Sequence, residues 1–156
     1  MRALYVLQVL FVSVEALIIL LGILTWTYLR IEIQVLANSL SIEAEILKWS
    51  ILLPIIIAGW IVRETRALLQ QDTETVQILT GWPDYWKLKI HTWVSLVYSL
   101  LFVCMSVVPW LTQTGIRTAS GLLLFLTSIA GQISVAISIY AASMRVNEII
   151  ALVKAK

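Results

Sequence analysis

The chain is poor in the residue types on which soluble enzymes depend. Its 156 residues hold one cysteine, Cys104, and one histidine, His91. A single cysteine inside an apolar run excludes an intramolecular disulfide and a cysteine metal cluster. Cys104 therefore reads as a small buried hydrophobe. A haem or metal role for His91 would need partners such as Cys104, Met105 or Met144, and none has convincing spacing. His91 reads instead as an interfacial histidine, and neither metal nor cofactor is expected. No serine–histidine–carboxylate set, phosphate-binding glycine loop or helical zinc motif is present, so catalysis is not expected. Charged residues make up 13% of the chain, roughly half the usual share. The net charge of +2 offers no surface for nucleic acid. Internal repeats, low-complexity tracts and linkers are missing too.

What the chain has is apolar length. Hydrophobic residues reach 60%, with a mean hydropathy of +0.94, against roughly 45–50% in soluble domains. An apolar run near 20 residues matches a hydrocarbon core of about 30 Å at a rise of about 1.5 Å per residue. Four runs qualify: Leu4 to Leu29, Ile46 to Val62, Ile90 to Leu111 and Ser120 to Met144. They predict an all-α, polytopic membrane protein built as a four-helix bundle. The first run is about twice the roughly 7–15 apolar residues of a signal peptide and has no small-residue cleavage site, so it reads as a retained helix. Pro54 removes a backbone donor and predicts a kink in the second helix.

Basic residues set the orientation. Arg2, Arg63, Arg66, Lys87, Lys89, Arg145, Lys154 and Lys156 fall on one side, and Arg30, Lys48 and Arg117 on the other. Both termini are thus expected on the cytoplasmic face of an inner (plasma) membrane. No strong breaker separates Gly59 from Gly81, so the second helix is expected to run on to about Leu79, roughly 25 Å past the bilayer. Gly81-Trp82-Pro83 then stops it. Asp84 caps the third helix, which enters the bilayer through Tyr85, Trp86 and Trp93, an aromatic belt at headgroup depth. In the resulting cytoplasmic hairpin, 63–89, Leu69, Val76 and Leu79 share one helical face. With Trp82 they form a candidate surface for a soluble protein partner. For Tyr85 and Trp86 both readings, headgroup anchor and interface anchor, are open.

The polar residues inside the apolar runs are the candidate sites. They are Gln8 and Glu15 in the first run and Gln132 in the fourth. Counting from the helix ends puts Glu15 and Gln132 roughly 16 and 18 Å deep, both near the midplane. A carboxylate there costs several kcal/mol unless neutralised, paired or wetted. It is either interhelix glue to Gln132, at about 1 kcal/mol, or a proton- or ion-handling site. The fourth helix also carries small residues at four-residue spacing, Ala130, Ser134, Ser138 and Ala142, beside a second row of Ser128, Gln132 and Ala136. Such rows allow close approach within the bundle or between subunits, and a homo-oligomer is expected.

Two functions compete. One is a non-enzymatic membrane subunit that oligomerises and anchors or signals to a soluble cytoplasmic partner. Its size and layout would suit a bacterial stress or anti-phage defence sensor, an argument by analogy alone. The other is a small oligomeric ion or proton channel or transporter using Glu15.

Overall fold

The computed structural model describes residues 2–39, 49–50, 52–69, 79–111 and 115–154. Their architecture is helical, with no strand among the described residues. The elements are α1 (Arg2–Phe11), α2 (Val14–Ser39), α3 (Leu52–Leu69), α4 (Tyr85–Leu111), a short 3-10 turn (Gly115–Arg117) and α5 (Ala119–Lys154). Three of them, α2, α4 and α5, are long and apolar enough to cross a membrane. The second expected run, 46–62, falls partly outside the described residues. In α3, Arg63, Glu64 and Arg66 sit within 18 residues, and that charge density keeps it apart from the other three. Pro54 is buried in α3.

The first apolar run is not one helix. It breaks at Val12–Ser13, because the Ser13 hydroxyl accepts the Ala16 amide at 3.1 Å. A serine side chain that satisfies the third amide of the following helix is an N-cap, and it marks a start rather than an interior. The remainder continues as α2 to Ser39, ten residues beyond the expected end at Leu29. Leu29 itself departs from helical geometry, with φ −117° and ψ 20°. The last helix also exceeds its expected end at Met144, because no glycine or proline follows Gly131 to stop it before Lys154.

α5 is the central element and packs against α2, α3 and α4. It runs antiparallel to α2: Gln34 meets Ala119, Gly22 meets Thr127 and Glu15 meets Ser138. Small residues set the spacing. A Cβ on Gly22 would lie 2.9 Å from the Thr127 hydroxyl, and one on Gly131 would lie 2.2 Å from the Phe102 ring. The core around these contacts contains Ile61, Leu79, Phe102, Val135, Ile139 and Val146, all essentially inaccessible.

Polar groups lie inside this bundle and apolar ones outside. Gln132 is fully buried; its Oε1 accepts from the Ser99 hydroxyl at 3.1 Å, and its Nε2 donates to the Ser99 carbonyl at 2.8 Å. The Ser128 hydroxyl donates to the Phe102 carbonyl at 2.6 Å. The outer faces expose Leu20, Ile23, Val97, Leu100, Ile133 and Ile137, among many others. Apolar surface of that extent, over hydrogen bonds turned inward, is the pattern lipid requires.

At the far end of the bundle α2 holds the start of α5. Thr118 caps it, its hydroxyl accepting the Gly121 amide at 3.2 Å. The next exposed donor, the Ala119 amide, is taken by Gln34 Oε1 at 2.9 Å, while Gln34 Nε2 donates to Asn38 at 2.9 Å and to the Arg117 carbonyl at 3.3 Å. Removing this cap by Gln34→Leu is expected to cost about 1 kcal/mol. Hydrogen exchange at Ala119 through Leu122 checks it, since these amides should exchange faster while the Gln132 region stays protected.

Candidate functional site

Where α1, the start of α2, the first half of α4 and the second half of α5 converge, they enclose a groove of about 750 Å³. It is the most polar cavity described. By contrast, a second cavity of about 270 Å³ between α2, α4 and α5 is lined almost wholly by apolar side chains such as Ile19, Trp26, Met105 and Leu123.

Glu15 sits on the inner wall of the groove with only 6% of its surface exposed. Ser13 determines that position. Because it caps α2, Glu15 is the second residue of the helix, in its first turn. Helix amides point toward the carboxylate there, and the macrodipole presents roughly half a positive charge. The Ser138 hydroxyl donates to Glu15 Oε1 at 3.3 Å. No cationic side chain pairs with Glu15 among the described residues. Lys87 is committed to Asp84 at 2.7 Å, an exposed pair worth little to stability.

The other walls supply hydroxyls and aromatic rings. Thr92 and Ser95, both buried, line the groove from α4, with His91 beside them. From α1 comes Tyr5, whose hydroxyl lies 3.0 Å from His91 Nε2 and whose ring meets Trp86 edge-on at 5.1 Å between centroids. The Tyr98 hydroxyl donates to the Leu10 carbonyl. Together these contacts moor α1 along α4, which places Gln8 and Trp82 at the groove's margin.

The expected pair of Glu15 and Gln132 separates into two sites. Glu15 bonds Ser138 and Gln132 bonds Ser99. Six residues of α5, roughly 9 Å of helix, lie between the two contacts. The depth count placed them level because it treated residues 4–29 as one helix, and the Ser13 cap removes that assumption. Gln132 and Ser128, from the second small-residue row, form the seam with α4. In the first row Ser138 and Ala142 face the groove, Ser134 is half-buried and Ala130 is exposed.

The proposed partner face divides as well. Leu79 is fully buried in the chain's own core, in one cluster with Leu68 and with Val146, which α5 supplies by continuing past Met144. Leu69 and Trp82 are half-buried, and Val76 lies outside the described residues. Cys104 is exposed rather than buried, on the outward side of α4 with Leu100, Leu101 and Val108. In the aromatic group, Tyr85 and Trp86 are half-buried with Lys89 and Lys87 above their rings at 4.7 and 5.9 Å, and Trp93 is exposed. No group of three or more His, Cys, Asp or Glu occurs among the described residues.

Sequence reading missed Ser13, Tyr5, Ser95 and Arg145 as residues that share a groove with Glu15. Only Ser13 carried a local signal, a capping residue two positions ahead of an acid. Chemically, the groove offers one buried carboxylate, several hydroxyls and aromatic faces, with Asp84, Lys87, His91 and Arg145 also on its walls. Comparison of the chain with protein-family models, with curated proteins and with solved structures finds no match. The groove's chemistry therefore carries the functional reading.

Proposed function

We propose that this chain is a non-enzymatic integral membrane subunit that oligomerises and signals to, or anchors, a soluble cytoplasmic partner. In this reading α3 joins the three apolar helices as the fourth crossing of an inner-membrane bundle, with both termini on the basic, cytoplasmic side. The observation that carries it is the length of α5. At 36 residues it spans roughly 54 Å, far more than a crossing of about 20 residues requires. Its excess folds with the end of α3 and Leu79 into a continuation of the membrane core. A rigid extension on the basic side, beside the mouth of the Glu15 groove, is what a subunit needs to report the state of its membrane portion. Such a role fits a stress or anti-phage defence sensor.

Photo-crosslinking from Leu69, Trp82 and Leu152 in native membranes tests the partner. A soluble chain captured at these positions, and not from Leu20 on the lipid-facing side, supports the proposal. Adducts to lipid alone would sink it. Topology is checked by reporter fusions: activity of a cytoplasmic reporter is expected at Lys156, and of an external reporter near Ser39. For the oligomer, native mass spectrometry in mild detergent should show a dimer to tetramer that Ser134→Phe weakens.

The groove supports a second reading, an oligomeric ion or proton pathway through Glu15. Against it, the wall beyond Ser95 and Ser138 closes on Phe102, Val135 and Ile139, all buried and apolar. Flux into proteoliposomes that disappears in Glu15→Gln would favour this alternative.

A further inference from the structure

We propose that the groove at Glu15 is a binding site for an organic ammonium ion carrying N–H donors. The proposal rests on reading the chain as a membrane subunit whose groove opens on the basic side, and it names what that groove receives.

Charge, size and donor type select this ligand class. Glu15 is more than nine-tenths buried and is engaged by Ser138 through Oε1 alone, which leaves Oε2 without a hydrogen-bond donor among the described residues. The helix dipole offsets only part of a full negative charge, so an uncharged occupant would leave a desolvated carboxylate in place. An anion would meet the same carboxylate and is excluded. A bare metal ion is disfavoured because no group of three or more His, Cys, Asp or Glu occurs among the described residues, and by the size of the cavity. About 750 Å³ lies in the range of sites for small organic molecules, roughly 300–1,000 Å³.

The remaining walls suit the rest of such a molecule. The Ser95 hydroxyl and the Gln8 amide oxygen can accept the further N–H groups of an ammonium. Tyr5 and Trp82 offer ring faces that attract a cation and cover a hydrocarbon body. Of the basic groups on the walls, Lys87 is paired with Asp84 and His91 holds its Nε2 3.0 Å from the Tyr5 hydroxyl. Arg145 lines the groove about two turns of α5 beyond Ser138 and forms no ion pair with Glu15 among the described residues. Two sources share this chemistry, a soluble amine and the ethanolamine headgroup of a lipid.

The test uses the full chain in phosphatidylcholine nanodiscs, titrated calorimetrically with phenethylammonium and with phenethyl alcohol, its neutral counterpart. The ammonium is expected to bind roughly tenfold or more tightly than the alcohol, the gain from a hydrogen bond to a charged group. Glu15→Gln keeps an acceptor for Ser138 and should erase that preference, while Gln132→Ala, a distant change in the α4–α5 seam, should retain it. Equal binding of the two probes, or an undiminished preference in a folded Glu15→Gln protein, overturns the proposal. Competition by phosphatidylethanolamine added to the discs supports the site with a lipid headgroup as its source; its absence, with probe binding intact, supports a soluble amine. No partner protein is present, so failed crosslinking in native membranes would remove the partner reading without touching this result.

Discussion

Gly131→Ala is expected to destabilise the folded chain by about 1–3 kcal/mol, the usual cost of inserting a methyl into a filled core, and Gly131→Leu to prevent α4 and α5 from closing. The added Cβ would lie 2.2, 2.3 and 2.4 Å from three carbons of the Phe102 ring, well inside van der Waals contact. A flexible surface side chain would swing away, but Phe102 is fully buried, stacked near Tyr98 at 6.1 Å between centroids and packed in the central cluster. Moving the ring also disturbs the Ser128 bond to the Phe102 carbonyl and the Gln132–Ser99 pair one turn away. The direct check is a double-mutant cycle in mixed micelles with Phe102→Leu, which removes the ring carbons that clash. Gly131→Ala should cost less in the Phe102→Leu background, with a coupling of about 1 kcal/mol or more. Equal costs in both backgrounds would show that the close approach at Gly131 is unimportant.

The second large effect has the opposite sign. Glu15→Leu is expected to stabilise the bundle by about 1–3 kcal/mol, because replacing a buried charge by a hydrocarbon of similar volume often does so. Glu15→Gln should fall between the native protein and the leucine variant, since the amide still accepts from Ser138 without bearing charge. Both are expected to lose preference for cationic ligands. This combination, higher stability with lost recognition, separates a site from a structural contact. If Glu15→Leu lowers stability instead, the carboxylate serves as interhelix glue to Ser138. Thermal unfolding of the three proteins in one lipid composition decides between them.

The coarse fold was legible because it rests on long apolar runs, and bilayer thickness translates run length directly into helices that can cross. Hydropathy could not place the break at Ser13. A window average over residues 4–29 does not register one hydroxyl that turns back to cap the following helix. The error then propagated: counting depth along an imagined continuous helix paired Glu15 with Gln132. The burial of Leu79 was hidden for a related reason, since the cluster it joins includes Val146, nearly seventy residues away and past the expected end of the last span. Gln132 and Ser128 stand out in the sequence, because a polar or small row on an apolar helix has few favourable places except another helix; in the structure both bond to α4. The groove was not legible, as it depends on Tyr5, Ser95 and Ser138 lining one cavity from three helices.

The unbroken length of α5 has a mechanical consequence. Held by Gln132 near its middle and by its cap at Ala119, the helix extends 22 residues from Gln132 to Lys154, roughly 33 Å of stiff rod. Pivoting by about 5° at the Gln132–Ser99 bond would carry the far end through roughly 3 Å, by the same rise per residue. Ser138, six residues along that arm, would shift by less than 1 Å. Val146 is fully buried in that arm and belongs to the cluster that holds Leu68 and Leu79, so any such swing of the tip would have to carry the end of α3 with it.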